Sequence, residues 1–321
     1  LRAIALARLG NVHYAMETPN RFFDQALVRK LDARLDTDTA AILHLSGMAV
    51  RQEGGGHRAQ VNQVQILGVD DGFGSLAGAE ALVLGENDVA VNEKLAAALG
   101  VVVGDRVSLR VIRPSLMPLD APLSPRDDDR LASALLAITA VLPDSGAGRF
   151  SLVSDQIAPY NAFLDLGRLQ RLVDAEGKAN MVLAGDGTSA TDLDRALRIA
   201  WQPEDLGLRW RTDAQGVLQL ESDRVFLDEA VAEAALDTAG AVGTLAYLVN
   251  SIASNHGTTP YSFAVAGPVL HDLGHDAAVV NAWLAEQLGI GLGDTIRVAY
   301  YEVTPANRSE ERRVGKECTI Q

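Results

Sequence analysis

Asn92-Glu-Lys-Leu-Ala-Ala-Ala-Leu-Gly-Val-Val-Val-Gly-Asp105 returns later in the chain as Asn281-Ala-Trp-Leu-Ala-Glu-Gln-Leu-Gly-Ile-Gly-Leu-Gly-Asp294, with seven of fourteen positions identical at a constant offset of 189. A repeat at this spacing means two copies of one domain-sized unit rather than a solenoid. Every part of the motif has a structural task. Asn92 and Asn281 stand where a strand ends and a helix begins, so the side chain can accept an orphan backbone N–H. Leu95 and Leu99, like Leu284 and Leu288, lie four apart and face one side, anchoring a short helix to a sheet. Gly100 and Gly289 follow the last leucine and fit the left-handed position that ends helices. Gly104-Asp105 and Gly293-Asp294 then turn the chain into the next strand.

Reading outward from the first copy, the pattern gives a strand at Val89–Val91, a helix at Asn92–Leu99 and a strand at Arg106–Arg113. Before it come a short strand at Val12–Met16, a helix from Asn20 through Arg34 capped by Asn20, and a hairpin of Ala40–Arg51 and Gln60–Val69 around Gly54-Gly55-Gly56. After it, four prolines (Pro114, Pro118, Pro122, Pro125) and the run Asp127-Asp128-Asp129 predict an exposed extended loop. Leu116, Met117, Leu119 and Leu123 within it are expected to fold back over the protein's own core, the alternative being a partner or lipid contact. Leu131–Leu142 is a buried strand or a helix, since periodicity does not separate the two for a short apolar run. Strands at Ala162–Leu164 and Asn180–Ala184 alternate with helices at Leu166–Val173 and Ala190–Trp201. Arg209–Thr212 and Val217–Ser222 make a hairpin, Arg224–Ala230 opens a helix as Arg21–Ala26 does, and Thr244–Ile252 and Pro260–Gly267 echo the first hairpin. The expected fold is α+β: mixed sheets with short helices, in two related lobes that each carry the strand, helix, Gly-Asp turn and strand. Residues 1–185 form the first lobe and 186–307 the second.

The 321 residues allow two or three compact units, and 48% hydrophobic with 22% charged residues is ordinary globular composition. Forty-two acidic against 28 basic residues give a net charge of −14, whose field repels phosphate backbones and excludes nucleic acid as a partner. The single cysteine, Cys318, cannot form an internal disulfide or a thiolate metal cluster. It lies in Arg308-Ser-Glu-Glu-Arg-Arg-Val-Gly-Lys-Glu-Cys318, which resembles the translation of a sequencing adapter at all eleven positions. Residues 308–321 are therefore read as a non-native tail, and without them the charge is −15. The opening Leu1–Gly10 reads as the end of a helix already under way. No run reaches the roughly 20 apolar residues of a membrane span, Leu131–Leu142 stopping at Pro143.

Candidate chemistry is sparse. His271-Asp-Leu-Gly-His275 has the four-residue spacing of a metal-binding helix, but Gly274 and Pro268 favour a solvated loop. His13, His44, His57 and His256 are isolated, each a surface residue or a satisfied core residue. Gly185-Asp-Gly-Thr-Ser-Ala190 superficially resembles a dinucleotide loop; the plainer reading is a strand-to-helix turn capped by Thr188 or Ser189. Asp70-Asp71 and Asp127–Asp129 read as solvated charge, and Trp201, Trp210 and Trp283 as core residues. No catalytic, cofactor-binding or metal-ligating residue is assigned, no cofactor is implied, and the chain is not expected to be an enzyme.

Taken with Val64-Gln-Ile-Leu-Gly-Val-Asp70, Val89–Asp105 and Phe163-Leu-Asp-Leu-Gly-Arg-Leu-Gln170, the chain resembles the extracytoplasmic domain, a MacB-like periplasmic core, of FtsX-like ABC transporter permeases. That superfamily includes MacB and the LolC and LolE lipoprotein-release proteins. The resemblance covers about the first 185 residues. It implies a first membrane helix ending just before Leu1 and further membrane helices after the domain, in a cell inner-membrane protein whose present segment is extracytoplasmic. It implies as partners a cytoplasmic ABC ATPase subunit, reached through the membrane part, and a second permease protomer. The substrate implied is a lipoprotein, a peptide or another hydrophobic molecule. The alternatives are a stand-alone extracytoplasmic binding or scaffold protein and a hydrolase with a dispersed carboxylate or histidine site.

Overall fold

The computed structural model describes residues 8–18, 21–52, 58–79, 82–114, 131–153, 157–223, 227–267, 273–274, 276–300, 302–303, 309–310 and 316–320. The fold is α+β. In chain order the first elements are β1 (Tyr14–Glu17), β2 (Phe23–Asp24), α1 (Ala26–Asp32), β3 (Thr39–Gln52), β4 (Arg58–Val69), α2 (Gly72–Ala77), β5 (Asp88–Asn92), α3 (Glu93–Leu99) and β6 (Arg106–Ile112). Then follow β7 (Leu131–Leu142), β8 (Tyr160–Asp165), α4 (Leu166–Leu172), β9 (Lys178–Ala179), β10 (Met181–Ala184) and α5 (Ala190–Ala200). The remainder is β11 (Leu208–Thr212), β12 (Leu218–Ser222), α6 (Glu229–Leu236), β13 (Leu245–Ala253), β14 (Thr258–Ala266), β15 (Ala277–Ala278), α7 (Ala282–Leu288), β16 (Thr295–Ala299), β17 (Glu302–Val303), β18 (Ser309–Glu310) and β19 (Lys316–Ile320). Two compact units divide the described residues after Trp210.

Six strands of the first unit pair in a closed circuit: β3 with β4, β4 with β8, β8 with β5, β5 with β7, β7 with β6, and β6 back to β3. The length of β3 makes closure feasible. Its start, Thr39–Ile42, pairs with β10, which in turn pairs with β1, while Gly47–Val50 on the same edge pairs with β6. Gly47 is where β6 joins. A Cβ there would lie 2.4 Å from the Arg110 carbonyl oxygen and 2.6 Å from Ile66 Cδ1. Opposite, the register shifts between Gly47 and Met48, and the extra residue of β4, Gln63, takes a left-handed φ of +57°.

Alternation along these strands separates two apolar clusters. One face of all six, including Leu43, Ile66, Val91, Leu109, Leu136 and Leu164, joins α1, α3, α4 and α5 in the larger cluster. The other face, with Ile42, Leu67 and Phe163, packs under α2, where Phe73 meets Phe150 edge-on at 5.4 Å. At about 25 cal/mol per Å² of apolar surface removed from water, burial on one face of the circuit and on the second face of β3, β4, β5 and β8 is the main stabilising term.

The second unit carries a five-stranded sheet in the order β14-β13-β16-β19-β15. Its pairings match five strands of the circuit in order and sense. The β13–β14 hairpin corresponds to β3–β4, β16 on β13 to β6 on β3, β19 antiparallel to β16 to β7 on β6, and β15 parallel to β19 to β5 on β7. The hairpins even break at corresponding places: Asn250 and Tyr261 drop out of the register, and Tyr261 has φ +45° as Gln63 has +57°. Residues 316–320, expected to lie outside the fold, hold the place of β7. Among the described residues the unit's core is much smaller, with Val249, Ile252, Leu288 and Ile296 the fully buried apolar members.

Several expectations change. The helix expected from Asn20 to Arg34 is reduced to α1, because Phe23-Asp24 pairs with Ala179-Lys178 and Asp24 Oδ1 accepts the Ala26 N–H at 2.8 Å, restarting the chain as a turn. Asn20 lies outside the described residues. Leu131–Leu142 is a strand, buried on one face only through Ile138. Helix α2 is additional. The helix expected to open at Arg224 begins at Glu229. The boundary expected after residue 185 lies inside the first unit, because Ala196 and Ala200 of α5 are buried in the larger cluster with α1. Residues 115–130 and 53–57, with the predicted proline loop and the Gly54–Gly56 turn, lie outside the described residues. No helix among the described residues is long and apolar enough to cross a membrane.

Candidate functional site

The first copy of the repeated motif is built around a buried asparagine. Asn92 ends β5 in an extended conformation and caps α3, its Oδ1 accepting the Leu95 N–H at 3.0 Å. The same oxygen accepts the Asn161 N–H at 3.2 Å, and Nδ2 donates to the Gly148 and Pro159 carbonyls at 2.9 and 2.8 Å. Asn161, on β8, is equally buried and donates through Nδ2 to the Phe150 carbonyl at 2.9 Å and to that of Gly148 at 3.3 Å. Two buried amides thus bond five backbone groups in three chain segments, an arrangement costly to leave half-made. Gly148 completes the junction, since a Cβ there would meet the Pro143 carbonyl at 2.1 Å. Lys94 donates to the Ala158 carbonyl and sits 4.3 Å from the centre of the Tyr160 ring.

The second copy has the same local geometry. Asn281 Oδ1 accepts the Leu284 N–H at 2.8 Å. Gly100 and Gly289 end their helices at φ +66° and +60°. Asp105 Oδ2 accepts the Val102 N–H at 3.0 Å, and Asp294 Oδ2 that of Gly291 at 2.8 Å. Asn281, however, is exposed, and of its helix only Leu288 is buried.

The other sequence candidates resolve into structural roles. Asp70 is not solvated surface charge: its Oδ2 accepts the Ala41 N–H at 2.7 Å and its Oδ1 the Gly72 N–H at 3.1 Å, clamping the end of β4 to β3 and to α2. Burial pushes its carboxyl above the ordinary value of 3.8, and the charge of Asp71 adds to that rise, against the backbone donors that favour ionisation. Ser189 caps α5 by accepting the Asp192 N–H at 3.1 Å, so the Gly185–Ala190 loop is a capped turn. His44 contacts Glu17 at 2.8 Å. His271 and His275 lie outside the described residues, as does His57. Trp201 is half-buried against Phe23, but Trp210 and Trp283 are 54% and 59% exposed, because β11 and α7 belong to elements with too little sheet around them to cover an indole.

Among the described residues no three His, Cys, Asp or Glu side chains converge as a metal site. A shallow dish of about 430 Å³ lies between Arg34, Asp36, Gly187, Thr188 and Arg195. Its two arginines are matched by Asp36 and Asp192, with Arg195 paired to Asp192 at 3.1 Å and Arg34 donating to the Lys30 carbonyl at 2.8 Å, so it presents no excess charge.

No protein-family model matches the chain, and no curated protein matches it either. Solved structures do. The periplasmic region of MacB from Actinobacillus actinomycetemcomitans aligns with a TM-score of 0.37 at 10% identity, over 68% of this chain and 86% of that one. The extracellular domain of the noncanonic ABC-type transporter YknZ from Gram-positive bacteria aligns at 0.37 and 11% identity, over 65% and 97%.

Proposed function

We propose that this chain is an extracytoplasmic domain of an ABC transporter permease subunit. It couples movement driven by a partner ATPase to extraction or export of a lipoprotein, a peptide or another hydrophobic molecule. One observation carries the reading. The three stretches in which the sequence resembles such permeases, Val64–Asp70, Val89–Asp105 and Phe163–Gln170, fold side by side: β8 lies between β4 and β5, and the Asn92–Asn161 junction ties β5 to β8. Their adjacency within one sheet is what supports the reading. Such a domain works by holding shape under movement rather than by bond chemistry, and a closed strand circuit with hydrogen-bonded junctions suits that task.

The test is reconstitution of the full-length permease with its ATPase in liposomes. Replacing residues 8–300 with a short flexible linker is expected to abolish substrate release while ATP hydrolysis continues. Unchanged release would sink the proposal and favour a stand-alone binding or scaffold role.

A further inference from the structure

The sheet of the second unit repeats five of the six strands of the first unit's circuit, and the strand without a counterpart among the described residues is β8. In the first unit β8 covers the outer edge of β4, pairing parallel over Val64–Val69. The corresponding strand, β14, is the edge of its sheet among the described residues. Its segment beyond the break at Tyr261, Ser262–Ala266, corresponds to the part of β4 that β8 covers. There Phe263 is 78% and Val265 57% exposed, with Tyr261 59% exposed beside them. Nor is the edge protected by charge. From Thr238 to His271 the sequence has no Asp, Glu, Lys or Arg, in a chain where more than one residue in five is charged. Native edge strands of this length ordinarily carry an inward lysine, a proline or a bulge against unwanted pairing. Here Pro260 and the left-handed Tyr261 guard only the first half.

We infer that the β14 edge is an acceptor for one further strand, and that its occupant is an extended apolar peptide segment running parallel to β14, of the kind that Tyr160-Asn-Ala-Phe-Leu-Asp165 presents to β4. Two features select a strand over a lipid surface. Lipid cannot hydrogen-bond the outward backbone groups of an edge, whereas a strand satisfies them. The run also has no cation to draw a chain of net charge −14 to an anionic headgroup. The inference does not depend on the transporter reading.

The experiment uses the full chain and a synthetic peptide spanning Pro159–Gly167, a segment already seen as a strand in this protein. Hydrogen exchange of Ser262–Ala266 is followed as peptide is added. Amides in this stretch that exchange fast in the free protein are expected to slow at least tenfold, and a scrambled peptide is expected to have no effect. Phe263→Lys should abolish the slowing while exchange in β13 and α7 stays as in the parent, showing that the variant is folded. Absence of any slowing at millimolar peptide overturns the inference. So does slowing that follows protein concentration without peptide, which would identify a second copy as the occupant. Slowing induced by phosphatidylcholine vesicles instead of peptide overturns it as well.

Discussion

The two copies of the motif share their local geometry and differ in what surrounds it. Asn92 and Asn281 make the same cap, Gly100 and Gly289 the same left-handed exit, and Asp105 and Asp294 the same turn. In the first copy Asn92, Leu95, Ala96 and Leu99 are all buried, and the asparagine bonds four backbone groups in three chain segments; in the second Asn281 is exposed and of its helix Leu288 alone is buried. Local conformation therefore follows from these residues themselves, whereas burial follows from the strands that close around them. The closing strand is β8, and the second sheet has none in its place among the described residues.

The largest separation between the copies is expected from Asn92→Ala and Asn281→Ala. The first leaves buried amides and carbonyls without partners and should cost about 4 kcal/mol; the second removes an exposed cap and should cost about 1 kcal/mol. Urea unfolding read by hydrogen exchange in each unit measures both, and equal losses would contradict the role assigned to burial. Next come Leu99→Ala and Leu288→Ala, each expected to cost about 3 kcal/mol. The same loss has unequal consequences. With four fully buried members among the described residues, the second unit should lose its cooperative transition, seen as a flattened Trp283 fluorescence curve, while Leu99→Ala shifts the first unit's midpoint and leaves it sharp.

Gly100→Ala and Gly289→Ala sharpen the comparison from the opposite side. Both force a Cβ into the left-handed region, so both should cost about 1 kcal/mol, irrespective of burial. The smallest effect concerns pH and the first unit alone. Burial raises the Asp70 carboxyl above its unfolded value of 3.8, so the folded state holds the proton more tightly than the unfolded chain does. The stability this group contributes is fully present below 3.8 and is lost as the pH rises through the raised value. Asp70→Asn should remove that component, which a series of urea midpoints between about pH 3.5 and pH 7 would detect as a flatter profile for the first unit.

What could be read from sequence divides along the same line. Caps, helix exits and Gly-Asp turns depend on residues within four positions of one another, and α3, α4, α5 and α7 stand where the sequence places them. The order of strands in the second sheet, the pairing of β6 with β3 and the closing position of β8 depend on partners tens of residues apart, which no local pattern encodes. Gly72-Phe-Gly-Ser-Leu-Ala77 escaped notice because two glycines and a six-residue span leave little helical periodicity. Asp70 looked solvated because a carboxylate beside another carried no sign that the backbone of β3 would close over it. Trp210 and Trp283 looked like core because size suggests burial, and only the spare second sheet leaves them in the open. The Asn92–Asn161 junction had half a signal: the cap was visible, its link to β8 was not.

The closed circuit also sets how the first unit bears force. A pull along β3 loads β4 on one edge and β10 and β6 on the other in shear, so many hydrogen bonds must fail together before any strand slides. Among the described residues the second sheet ends at β14 and β15, and a pull across either edge peels it one bond at a time. Under the same tension the first unit should travel as a rigid lever, while the second yields from its rim inward, and a single-molecule pulling trace would separate them as one high rip and one low, drawn-out one.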